Sequence, residues 1–154
     1  MTDWLREIRA NTDKVDDFYD EYSSELPHAK EEIKIDGPLE GQARKMAQLT
    51  DKRFSQLQDI EAIYDLLDIE LKKLRSKHYK SYLENYNRAL SSRDVEKYID
   101  GEYDVVDLLM KINKIRLLRN KFASITKGME VKHFQLTNII KMRVAGLDDS
   151  DINY

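Results

Sequence analysis

Apolar residues recur every three to five positions through the middle of the chain, at Ala43, Met46, Leu49, Phe54, Leu57, Ile60, Tyr64, Leu67, Leu71 and Leu74. That spacing marks one stripe of an α-helix. Glycine and proline fall at Pro27, Gly37, Pro38, Gly41, Gly101, Gly128 and Gly146, leaving 59 consecutive residues, 42–100, with neither. A turn-rich β fold cannot run so far without them. The pattern predicts one helix, or two with a kink, from about 39 to 90. "IDGPLEGQARKMAQL" reads as its start, with Asp36 as a cap and Pro38 in the first turn. "LSSRD" (90–94) is the expected break, because serine and aspartate compete for backbone hydrogen bonds. "YIDGEYD" (98–104) is a second break.

A second apolar series follows at Leu108, Ile112, Ile115, Leu118, Phe122, Ile125 and Met129, spaced 4, 3, 3, 4, 3 and 4. A mean step of 3.5 is that of a coiled-coil seam. These seven residues are therefore the candidate oligomer interface, and an intramolecular bundle helix satisfies the same spacing. Lys111, Lys114, Arg116, Arg119 and Lys121 lie between them. Gly128 is expected near a helix end or hinge, and "QLTNIIKMRVAG" as a last helical stretch closing at Gly146. Before Pro27, Trp4, Leu5, Ile8, Val15, Phe18 and Tyr22 fit an amphipathic helix or an acidic docking arm. The fold class is all-α, built of long helices with a coiled-coil-like C-terminal segment. The expected division is an acidic N-terminal arm at 1–32, a long-helix region at 33–100, C-terminal helices at 101–146 and an acidic tail at 147–154.

Charge sharpens this outline. The net charge is −3 over 154 residues, but residues 1–40 carry 12 acids and 5 bases, whereas 71–145 carry 17 bases and 8 acids. The last eight residues, "LDDSDINY", add three acids. A basic body between acidic ends suits a polyanion, with the ends free for partners or self-inhibition. Segregated charge also serves solubility alone.

Chemistry is sparse. The chain has no cysteine, no Walker A pattern and no G-x-S-x-G elbow. His28, His78 and His133 lie 50 and 55 residues apart, which is no local metal-ligand spacing. "DLLDIE" clusters Asp65, Asp68 and Glu70 in the manner of a solvated helix face. No run of apolar residues has the length of a signal peptide or a membrane span. The expectation is no enzyme, no cofactor and no metal.

"LKKLRSKHYKSYLENYNRAL" (71–90) carries the sharpest functional question. Advancing about 100° per residue from Lys73, Lys77 lies near 40°, Lys80 near −20° and Arg88 near 60°. Leu71, Leu74, Tyr79, Tyr82, Leu83, Tyr86 and Leu90 lie between about 100° and 280°. Lysines and tyrosines thus take different faces, so the tyrosines fit core or interface better than base stacking. Lys72 and Arg75 flank a stripe that can track phosphates. A solvated face has the same pattern.

Three strings together resemble the UvsY family, the recombination mediators of large tailed phages. They are "IKIDGPLEGQARKMAQL", "LKKLRSKHYKSYL" and the closing "ITKGMEVKHFQLTNIIKMRVAGLDD", within which "KGMEVKH" is the most distinctive. The likeness covers about residues 33–147. It implies a non-enzymatic protein that binds single-stranded DNA through its phosphates and forms a ring-like homo-oligomer of six or seven subunits. Such a mediator helps a RecA-like phage recombinase replace the phage single-strand-binding protein, in the cytoplasm of the infected bacterial host. The implied DNA-binding set is Lys72, Lys73, Arg75, Lys77 and Lys80, with Arg88 added from the stripe. Tyr79 departs from the family pattern where a cation is expected, and Lys80 can substitute. The alternative is a structural or adaptor coiled coil without DNA binding.

Overall fold

The computed structural model describes residues 4–85 and 90–147. Among them every regular element is helical. Helix α1 spans Trp4–Ala10, a 3-10 turn spans Thr12–Lys14, α2 spans Val15–Ser24 and α3 spans Leu26–Ile33. They are followed by α4 (Leu39–Asn85), α5 (Ser92–Asp100) and α6 (Tyr103–Val144). No helix among the described residues is long and apolar enough to cross a membrane.

The chain gathers into two compact units, and neither is a continuous stretch. One holds Met1–Ser23 with Gln58–Arg119, the other Ser24–Leu57 with Asn120–Tyr154. The linear division expected at residues 32, 100 and 146 is therefore not the one the contacts draw. The reason is physical: α4 and α6 are each long enough to contribute to both units.

The breaks follow local chemistry. Asn11 closes the gap after α1, its side-chain oxygen accepting from the Asp13 N–H. Ser91 is the N-cap of α5: its Oγ accepts from the Asp94 N–H at 3.3 Å and donates to the Asp94 carboxylate at 2.6 Å. This N-cap bond, with Asp94 in the first turn, explains why the chain restarts a helix at "SSRD". At the entry to α4 the expected cap is displaced. Pro38 precedes the helix and its carbonyl accepts the Gln42 N–H, while the Gln42 amide reaches the Gly37 carbonyl at 3.0 Å. Gly37 has φ +80°, a left-handed turn suited to glycine. At the far end, Gly146 (φ +74°) donates to the Arg143 carbonyl and Leu147 donates to that of Met142. This paired pattern is a Schellman close, as the sequence suggests.

Gly128 is neither an end nor a hinge. It lies inside α6, and a Cβ there would stand 2.7 Å from Ile33 Cδ1 and 3.1 Å from Cγ2. The missing side chain lets the Ile33 side chain approach the helix backbone.

In the first unit the N-terminal segment is folded. Ile8, Val15, Phe18 and Tyr22 are buried, Trp4 meets Phe18 edge-on at 5.7 Å, and the Tyr22 hydroxyl donates to Asp59 at 2.8 Å. Burial and the Asp59 carboxylate both push the Tyr22 hydroxyl well above its usual pKa. A second cluster joins Val95, Ile99 and Val105 with Leu71, Leu74, Tyr79, Tyr82, Leu90 and Leu109. In the second unit Met46, Met129 and Leu136 pack with Ile33, Ile35, Leu39 and Leu49.

Candidate nucleic-acid interface

The basic segment of α4 is exposed along one side and packed along the other. Lys72, Lys73, Lys77 and Lys80 all face solvent. Tyr79 and Tyr82 turn the opposite way and pack on the Val95 cluster, with Tyr82 stacked on Tyr98 at 5.8 Å between ring centres. The helical wheel thus separates cations from rings as expected, and these two tyrosines are core-forming. Tyr86 and Arg88 lie outside the described residues.

The cations differ in what holds them. Lys72 pairs with Asp68 and Lys73 with Glu70, each at 2.7 Å. The hydrogen bond that Lys72 donates to Asp68, with the carboxylate's charge, raises the Lys72 pKa. Arg75 is tied to Asp100 at the end of α5. Exposed pairs of this kind are weakly held, so Lys72 and Lys73 can exchange a carboxylate for a phosphate at small cost. Lys77 and Lys80 have no ion-pair or hydrogen-bonding partner among the described residues. They present two unneutralised ammonium groups one helical turn apart on α4.

Other cations are already committed. Lys111 bridges Asp13 at 2.6 Å and Asp107 at 2.8 Å. Lys114 bridges Asp16 at 2.6 Å and lies over the Tyr19 ring at 4.5 Å. Burial pulls the Lys111 pKa down, but its two carboxylates outweigh this and raise it. Part of the acidic N-terminal segment therefore neutralises cations of α6, and the bridges involving Asp13 and Asp16 join residues 98 apart. The acidic tail beyond residue 147 lies outside the described residues.

The proposed seam requires a correction. Leu108, Ile112, Ile115, Leu118, Phe122, Ile125 and Met129 are all buried within one chain, none more than 8% exposed. Their 3.5 spacing is satisfied internally, so they offer no apolar surface to a second copy. A different face of α6 remains open in the first unit, at Tyr103, Val106, Met110 and Leu117. Met110 and Leu117 are 67% and 51% exposed and stand one heptad apart. A gapped seven-residue step is weak beside a complete seam, which is why it escapes notice in the sequence.

The second unit carries an open apolar groove of about 810 Å³ between α4 and α6, lined by residues including Met46, Phe54, Met129, His133 and Phe134. Phe54 belongs by spacing to the apolar stripe of α4 but is 53% exposed. Its neighbour Arg53 takes the buried seat.

Comparison with protein-family models, with curated proteins and with solved structures finds no match to this chain.

Proposed function

We propose that this protein binds single-stranded DNA through the exposed cationic side of α4 and acts without catalysing a reaction. The observation that supports it most directly is the pair Lys77 and Lys80, exposed and without a partner among the described residues, beside the weakly held Lys72 and Lys73. Binding through phosphates is independent of base sequence and driven by counterion release, so it weakens steeply with salt. One such strip is weak alone, and repetition in an oligomer multiplies it by raising the effective concentration of further strips.

The sequence likeness to the UvsY family extends this proposal to a recombination mediator. In that role a homo-oligomer of six or seven subunits holds DNA for a RecA-like recombinase as the single-strand-binding protein leaves, in the cytoplasm of an infected bacterial host. Because the Leu108–Met129 seam is internal, self-association in this reading uses the outer face of α6 around Met110 and Leu117.

The test is fluorescence anisotropy of a labelled single-stranded oligonucleotide over a salt series, with particle mass from light scattering. Lys77→Glu with Lys80→Glu should abolish binding while the mass is unchanged. Neutralising the same two positions as Lys77→Gln and Lys80→Gln should reduce the salt slope by about 1.4, the share of two single-strand phosphate contacts. Leu117→Asp should lower the mass, and DNA affinity should fall with it. The second reading is a structural or adaptor coiled coil without DNA binding, which self-associates but leaves the α4 cations solvated. Oligonucleotide binding that is absent at low salt would overturn the DNA-binding reading.

A further inference from the structure

Three potential metal ligands that are scattered in the sequence meet at one corner of the first unit. His78 projects from α4, Glu102 precedes α6 and Asp104 lies in its first turn. His78 Nε2 and one oxygen from each carboxylate all lie within 4.8 Å of one another. We propose that this corner is a binding site for a divalent transition ion of the zinc class, and that the ion pins the Lys77–Lys80 stretch of α4 to the start of α6.

The donor set is chemically apt. An imidazole in its metal-ligating form and two carboxylates present a charge of about −2, which a divalent ion balances. One nitrogen with two oxygens suits borderline ions, and three protein ligands leave a position for water. His78 Nε2 stands 2.8 and 2.9 Å from the two Asp104 oxygens. Ligands sharing an ion at bonds of about 2.1 Å need a slightly wider separation, so a small opening of this pair admits it.

Outer partners already orient the donors. Tyr82 donates its hydroxyl to Glu102 at 2.5 Å, and the Val105 N–H donates to Asp104 at 2.9 Å. Tyr82 is itself held by packing on the apolar cluster of Val95, Ile99 and Val105. A hydrogen-bonded outer shell fixes ligand orientation. Sequence spacing could not find the site, because its histidine and its carboxylates are more than 20 residues apart.

The test uses the full chain stripped with a chelator and titrated with Co²⁺, read by visible absorption, and with Zn²⁺, read by calorimetry. One ion per chain is expected, with loss of uptake in His78→Ala and retention in His28→Ala and His133→Ala. Tyr82→Phe should weaken affinity by about tenfold to a hundredfold, as loss of an outer-shell partner does. Glu102→Gln preserves volume and should also lose the ion, with far-UV circular dichroism checking that the helices remain. Absence of stoichiometric uptake by the unmodified chain overturns the proposal. Uptake unchanged in both His78→Ala and Glu102→Gln also overturns it, by placing the ion elsewhere.

Discussion

Arg53 and Glu32 form a two-bond pair inside the second unit, with Arg53 Nε and an Nη each 2.7 Å from a different oxygen of the Glu32 carboxylate. Arg53 is completely buried and Glu32 nearly so, and the second Nη reaches Glu25 and Gln56 at 2.8 and 2.7 Å. The hydrogen bonds donated to Glu32 dominate, so the guanidinium is held more firmly charged despite its burial. The seat it occupies is one that the α4 stripe would assign to an apolar side chain.

Removing one member of this pair strands the other's charge. Arg53→Leu should therefore destabilise the protein by about 3–5 kcal/mol in chemical denaturation. The double variant Arg53→Leu, Glu32→Leu should recover much of that loss, because an apolar pair suits the helical position. A double variant no more stable than Arg53→Leu alone would show that the network itself, rather than the stranded charge, holds the unit.

The same network sets an acid limit. Hydrogen bonding from Arg53, opposed by partial burial and aided by Lys52, lowers the Glu25 pKa from its ordinary 4.5. A carboxyl whose folded pKa is lowered stabilises the fold when ionised, so its contribution is present at neutral pH. It is lost as pH falls below about 4.5 through the lower folded value. Glu25→Gln should have a lower Tm than the unmodified protein at neutral pH, and the two Tm values should converge on acidification. A gap that stays constant with pH would remove Glu25 from the acid response.

Much of this architecture is legible in the sequence, because helices announce themselves through period and punctuation. The long α4, the restart at Ser91 and the close at Gly146 depend on contacts within a few residues. What the sequence conceals depends on partners far away. Arg53 reads as a break in the stripe until Glu25 and Glu32 are brought to it, more than 20 residues back. Gly128 reads as a stop until Ile33 fills the space beside it. Lys77 and Lys80 were identifiable as exposed cations, but their lack of partners among the described residues was not, since Arg75 on the same helix is held by Asp100 of α5. The 3.5 step from Leu108 to Met129 specifies a seam without specifying whether the partner is the same chain or another.

Lys132 shows how a buried cation can serve a helix end. Its ammonium donates to the Glu32 carbonyl at 2.7 Å and the Lys34 carbonyl at 2.8 Å, both at the C-terminal end of α3. Carbonyls at a helix end lack intrahelical donors, and a cation there also opposes the helix dipole. Desolvation lowers the Lys132 pKa, and the Glu32 carboxylate only partly restores it. Lys132→Met keeps the aliphatic volume but leaves both carbonyls without this donor. It should cost about 1–3 kcal/mol in denaturant unfolding. A variant as stable as the parent would mean that water replaces the ammonium without loss.

Gly128 and Ile33 provide the most discriminating test of packing in the second unit. In an open helix, glycine to alanine gains about 0.5–1 kcal/mol because alanine loses less backbone freedom. Here the new methyl would meet three atoms of Ile33, at 2.7, 3.1 and 3.2 Å. The nearest is the mobile Cδ1, but the other two are attached to a stiff β-branched centre. Crowding of that kind costs about 1–3 kcal/mol, so Gly128→Ala should be destabilising in spite of its helix propensity. Ile33→Val removes Cδ1 and therefore the closest contact, at its own cost of about 0.5–1.5 kcal/mol. Introducing Gly128→Ala into the Ile33→Val background should then cost less than it does alone, a coupling that a double-mutant cycle of unfolding free energies measures directly. Strict additivity of the two substitutions would refute the close approach of Ile33 to α6.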